Sequence, residues 1–189
     1  MLVYKEEFFS LYSFSRFTSH HFLVVLAELK PTGMDTTLYN VMVHVHSVGR
    51  WIVLLLLLFA IFNSLIAGTR PFIKSDNRLG LFVTIAGDIM LLIGIYLYFV
   101  GPRGYKTFES FGSMGAVMKD PTARFYAVEH IAGMLIAVVL MHIGKAQARK
   151  PMGDRAKHRR TMIFYFLALL IILVSIPWPF REIGTGRWY

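Results

Sequence analysis

Four long apolar runs, separated by short polar segments, dominate the pattern of hydrophobic and polar positions. They lie at Trp51–Gly68, Leu79–Val100, Phe125–Gly144 and Met162–Trp178. Each is close to the roughly 20 residues that an α-helix needs to cross the hydrocarbon core of a bilayer. The pattern predicts four transmembrane helices, over about 48–68, 79–100, 123–145 and 161–178. Because the connections are short, we expect an all-α integral membrane protein folded as an up-and-down four-helix bundle.

Composition supports a membrane protein and narrows the chemistry. Of the 189 residues, 56% are hydrophobic, which is more than a soluble domain carries. The chain contains no cysteine. This excludes disulfides, thiolate metal sites and the covalent attachment of a c-type haem, whereas a b-type haem is still allowed.

The net charge of +9 is mainly a topology signal. Positively charged residues collect on the cytoplasmic side of membrane proteins. Ten basic residues lie in the first and third connections: Arg70, Lys74, Arg78, Lys145, Arg149, Lys150, Arg155, Lys157, Arg159 and Arg160. The second connection holds four: Arg103, Lys106, Lys119 and Arg124. We therefore predict that both termini face outward, and we interpret the basic loop as solvated rather than as a nucleic-acid site.

The N-terminal segment, positions 1–33, fits this plan poorly. Its compact apolar run, Phe22–Ala27, is too short for a membrane span or an ordinary secretory signal. Two interpretations are open. Either the native chain starts at Met34 and the segment before it is a misread upstream extension, or this segment is interfacial and lies on the bilayer surface. Positions 34–189 form the predicted membrane domain.

Histidines carry the candidate chemistry at the start of the first span. The segment HVHSVGRW, residues 44–51, leads directly into the most apolar run. At about 100° per residue, His44 and His46 point about 200° apart, so one of them at most is expected to face the bundle interior. His46 is preferred because Arg50, four residues later, shares its face.

The third run adds Glu129 and His130, with Gly133 one turn further on. His142 lies further along the same run and points about 120° away from the His130 face, so it ranks lower as a ligand. One hypothesis is a b-type haem held by His46 and His130, with Arg50 offsetting a propionate and Gly133 leaving room for the macrocycle. Counting from the predicted helix ends places His46 roughly 10 Å higher than His130, which counts against this pair.

Structural roles for the same residues are the competing interpretation. His44 and His46 fit interfacial positions, and His130 fits a hydrogen bond to a neighbouring helix. Arg50 fits a side chain that extends to lipid phosphate. The residues alone leave these alternatives open.

Asp88 lies near the middle of the second run, where a carboxylate needs a partner or a proton. A proton pathway through Asp88, Glu129 and His130 is one interpretation. A hydrogen bond between helices is the favoured one. Gly80, Gly87 and Gly94 recur every seven residues and predict a small face for close helix packing.

Three motifs, HxHSxxRW at 44–51, RFYAVEH at 124–130 and IPWPFR at 176–181, resemble a family of small four-span bacterial membrane proteins commonly labelled cytochrome B. The resemblance covers about positions 34–189. It implies a multi-pass protein of the bacterial cytoplasmic (inner) membrane and a haem b electron carrier that works with quinone or respiratory partners. By motif position it marks His44, His46, Arg50, Glu129 and His130.

Two other function classes stay open beside electron transfer. One is a cofactor-free membrane subunit or assembly factor in which the polar residues fix helix packing, and the other is a small proton or solute conductor centred on Asp88. No phosphate loop and no nucleophile–base motif is evident, so a redox-active chain would be an electron-transfer component rather than a hydrolase or transferase. The sequence assigns no oligomeric state.

Overall fold

The computed structural model describes residues 33–181 and residue 183. The residues from Tyr39 onward form the compact unit that holds most of the helical body described below. Positions 1–32, almost the whole predicted extension, lie outside the described residues. The α-helices are α1 Gly33–Ile66, α2 Lys74–Val100, α3 Lys106–Phe111, α4 Met114–Lys119, α5 Pro121–Arg124, α6 His130–Ala146 and α7 Asp154–Ser175.

Within residues 33–181, four segments are long and apolar enough to span a membrane: Thr36–Ile66, Lys74–Val100, Pro121–Arg149 and Asp154–Ser175. The third, called the third span here, joins α5 and α6 through a π-turn at Phe125–Glu129 and ends in a 3₁₀ turn at Gln147–Arg149. This confirms the all-α, four-helix membrane fold. The predicted limits were wrong at several ends, because segments of mixed polarity, such as residues 36–47, continue the helices beyond the apolar runs.

Proline and a carboxylate explain two of the helix ends. Asp120 Oδ1 accepts a hydrogen bond from the Ala123 amide at 2.7 Å, and Pro121 occupies the first turn, as predicted. Helix α7 ends at Ser175 rather than at the predicted residue 178. The reason is Pro177, which lacks an amide proton and disfavours helical geometry at Ile176.

Successive spans run antiparallel, as contacts along their lengths show. Asn63 near the end of α1 donates a hydrogen bond to Asp76 at the start of α2. Tyr98 near the end of α2 donates to the Ala127 carbonyl near the start of the third span, at 3.1 Å. Thr161 of α7 donates to the Gly144 carbonyl near the end of α6, at 3.3 Å. The topology is therefore up and down.

Small residues let these helices approach closely. The core includes Leu57 and Ala168, both fully buried. A Cβ atom on Gly144 would lie 2.5 Å from the Tyr165 ring, and one on Gly87 would lie 2.8 Å from the Met141 sulfur. Since lipid tails are as apolar as the helix surfaces, close van der Waals packing is a main source of helix association in a membrane. The predicted packing role of the α2 glycines is confirmed.

A buried carboxylate joins three elements at the end of the bundle that carries the 149–154 connection, called here the basic-loop end. Asp76 accepts hydrogen bonds from Asn63 and Arg70, each at 2.8 Å, and from the Ile73 amide at 2.9 Å. The hydrogen bonds to this carboxylate raise the pKa of Arg70 above its ordinary value. The fully buried His158 lies 4.0 Å from the same carboxylate. This cluster holds α1, α2 and α7 together.

Candidate functional site

A cavity of about 630 Å³ lies among α1, α2, the third span and the residues after α7, toward the end of the bundle that carries α3 and α4. We call it the histidine cavity. Its volume is within the range of small-molecule and cofactor sites. Its lining is mainly apolar, and the ring-bearing and charged side chains are Tyr39, His44, His46, Arg50, Tyr98, Arg103, Tyr126 and His130.

The structure brings His46 and His130 together. Their ring centroids are 6.3 Å apart, and the ring planes are inclined at 71°. Both side chains are half-buried and line the cavity. The Nδ1 atom of His46 is buried and has no hydrogen-bond partner among the described residues. This is the imidazole pair that helical phase had singled out.

The predicted difference in depth between the two histidines was wrong. Helix α1 continues from His46 to Ile66, and the third span continues from His130 to Arg149, so the two stretches have nearly the same length. At about 1.5 Å per residue, they measure roughly 30 and 28 Å. The third span is longer at this end than its apolar run, because Lys145–Arg149 continue the helix past the hydrophobic residues.

A π-turn sets the position of the His130 side chain. The His130 amide donates to the Phe125 carbonyl, five residues earlier, so this turn holds one more residue than a standard helical turn. Tyr98 satisfies the Ala127 carbonyl within the widened turn. Such turns change the direction of the side chains on either side and occur frequently at functional sites. Sequence periodicity gave no sign of this one.

A hydrogen bond to the end of α7 holds the Nδ1 atom of His130. His130 Nδ1 lies 2.7 Å from the Ser175 carbonyl oxygen, which is left without a helical partner where α7 stops. Because a carbonyl only accepts, Nδ1 must donate, and the neutral ring then keeps Nε2 unprotonated. Gly133 does not make room for a macrocycle as predicted, because a Cβ there would clash with the Ser175 side chain.

Two guanidinium groups accompany the imidazoles at the cavity wall. Arg50 stacks over the Trp51 ring at 5.5 Å, and Arg103 over the Tyr126 ring at 5.2 Å. Arg50 was predicted from its spacing to His46. Arg103 was missed because its loop is distant in sequence, and the dipeptide Pro102–Arg103 carries no signal that it folds toward the site.

The remaining predicted residues lie apart from this pair. His44 is exposed and lies in the cavity lining. Glu129 is exposed and pairs with Arg124 at 2.6 Å. Asp88 binds His142 at 2.8 Å, which confirms a hydrogen bond between helices. Since Asp88, Glu129 and His130 each have a different partner, the structure does not join them into the proton pathway considered above.

Among residues 33–181, no group of three or more histidine, aspartate or glutamate side chains is placed to hold a metal ion. Compared with known protein families, curated proteins and solved structures, the chain matches none of them.

Proposed function

We propose that this chain is a membrane b-type cytochrome that carries electrons, in which His46 and His130 would hold haem b. The observation that carries the proposal is the pair of imidazoles facing each other in the histidine cavity. His46 and His130 would hold the haem through its iron, for which histidine is a common protein ligand.

The separation of the rings fits this role. A metal–imidazole bond is about 2.0–2.1 Å long, so two imidazoles that would hold one metal ion must stand several ångströms apart. The observed distance between the ring centroids is 6.3 Å.

The hydrogen bond of the His130 ring also fits. Metal-ligating histidines usually donate their other ring proton to a carbonyl or carboxylate, which fixes the tautomer and the ring orientation. His130 meets this condition through the Ser175 carbonyl. The buried Nδ1 of His46, unpartnered among the described residues, leaves one ring with an unmet requirement that a bound group or a water would satisfy.

Charge and polarity of the wall match an anionic, largely apolar ligand. Arg50 and Arg103 would offset the propionate charges, while Met90, Met134 and Ile131 offer apolar contacts. When bound, haem b supplies a one-electron couple. The protein residues hold the imidazoles in place, exclude water and balance charge. The partners proposed for this carrier are quinone or respiratory proteins of a bacterial inner membrane.

The visible spectrum of full-length protein, purified in mild detergent from haem-replete cells, tests the proposal. We expect a Soret band and, on reduction, sharp α and β bands. His46→Ala and His130→Ala should each abolish the low-spin spectrum, because each removes one of the two imidazoles that would hold the haem. His142→Ala removes an imidazole outside the cavity and should leave the spectrum unchanged. Well-folded but colourless wild-type protein would overturn the proposal.

The second candidate is a cofactor-free membrane subunit or assembly factor. The bond between His130 and the Ser175 carbonyl favours it, since this contact ties the third span to α7 without any ligand. Under this alternative, His130→Ala would lower the stability of a protein that never binds haem. The spectrum therefore separates the two candidates.

A further inference from the structure

The Asp88–His142 pair lies on the outside of the bundle, midway along the second span. Asp88 is close to the midpoint of α2, which runs from Lys74 to Val100. Its side chain is 44% exposed, and that of His142, on α6, is 53% exposed. The neighbouring Gly87 faces inward and packs against Met141. The two ionisable groups therefore occupy the surface that a single chain would present to lipid.

Lipid is a poor environment for this pair. One carboxylate oxygen and one imidazole nitrogen form the 2.8 Å hydrogen bond, and the other oxygen and nitrogen retain hydrogen-bonding capacity. Ionisable groups near the bilayer centre almost always face protein or water. The surrounding positions are exposed and apolar, among them Ile85, Leu92, Leu135 and Val139. These apolar neighbours offer the pair no further hydrogen bond.

A second copy of the same chain would supply the missing partners. If two parallel copies face each other about a two-fold axis along the membrane normal, α2 of each lies opposite α6 of the other. Asp88 then lies opposite His142 of the second copy at the same depth, and the reverse pair forms as well. A two-fold interface is self-complementary in this way. An acid on one helix and a base on its neighbour meet that requirement.

We propose that the α2–α6 face centred on Asp88 and His142 is the interface of a homodimer in the membrane. The four groups form a closed ring of hydrogen bonds in which each carboxylate lies between two imidazoles. The apolar side chains around the pair pack against their counterparts. This dimer does not depend on haem binding, because the face lies outside the histidine cavity.

Subunit counting in liposomes tests the dimer. The chain has no cysteine, so Gly153→Cys provides a single labelling site in the exposed connection before α7. Full-length labelled protein is reconstituted at several protein-to-lipid ratios, and bleaching steps are counted for single particles. We expect a monomer–dimer equilibrium whose association constant falls about tenfold or more in the double variant Asp88→Leu with His142→Leu, since polar contacts between membrane helices have effects of this size.

Two further variants make the result specific. Exchanging the groups, Asp88→His with His142→Asp, should preserve dimers because an acid still lies opposite a base. Asp154→Asn removes a carboxylate from the start of α7 and should change nothing. Circular dichroism and thermal unfolding verify that each variant folds. Two results would overturn the proposal. One is a wild type that stays monomeric at every ratio, as expected if lipid or a different protein covers this face. The other is an unchanged association constant in the leucine variant.

Discussion

Single residues decide how closely these helices pack. Gly144 illustrates this, because α6 and α7 meet there with the Tyr165 ring against the glycine backbone. The sequence revealed α2's glycines by their seven-residue repeat, whereas Gly144 is an isolated glycine near the end of an apolar run. Its role becomes visible only when the neighbouring helix is in place.

Adding a side chain at Gly144 should therefore destabilise the bundle. We expect Gly144→Val to lower the free energy of unfolding by about 1–3 kcal/mol, because the branched side chain must displace Tyr165 or separate the helices. The measurement is reversible unfolding in mixed micelles. Gly153→Ala is the matched control, since nothing lies within 4 Å of the added methyl group. Equal stability of the two variants would contradict this account of the α6–α7 contact.

At the scale of elements, the third span combines a predictable start with an unpredictable turn. Asp120 and Pro121 mark the helix start through local chemistry that can be recognised directly in the sequence. The π-turn at Phe125–Glu129 depends on tertiary contacts, such as the Tyr98 hydroxyl that binds the Ala127 carbonyl. Local periodicity therefore identified His130 as a candidate but could not establish how close its ring comes to His46.

The start of the third span provides a second stability test. Asp120→Ala removes the oxygen that accepts the Ala123 amide, and we expect a loss of about 1 kcal/mol in the free energy of unfolding. Asp120→Asn keeps an accepting oxygen and should retain most of the stability. Unfolding curves measured under identical conditions compare the three proteins. An asparagine variant as unstable as the alanine variant would show that the cap is not the source of the effect.

At the scale of the whole molecule, the fold was predictable because four apolar runs of membrane length leave few other arrangements. The association of His46 with Arg50 was also predictable, since four residues make about one helical turn. Residues that join the site from distant loops, such as Arg103, could not be predicted from the sequence. The buried cluster around Asp76 could not be predicted either. These contacts depend on which helices become neighbours, which the hydrophobic pattern does not specify.

Orientation in the membrane stays a prediction with a direct test. Gly153→Cys and Gly115→Cys place one thiol at each end of the bundle, both in open positions. Because the basic connections are predicted to be cytoplasmic, a membrane-impermeant thiol reagent added to intact cells should label the Gly115 variant and spare the Gly153 variant. Lysis should make both accessible. The opposite labelling pattern would reverse the topology.

The length of α1 determines where the histidine cavity lies relative to the bilayer. Thr36–Ile66 comprises 31 residues, about 46 Å of helix, whereas the hydrocarbon layer is about 30 Å thick. With Ile66 at one boundary of this layer, His46 reaches the other, where the dielectric constant rises steeply toward water. A ligand in the cavity would thus have one edge among acyl chains and the other near the aqueous phase. For the proposed electron carrier, such a position would let electrons pass to a lipid-dissolved partner while the accompanying protons leave through water.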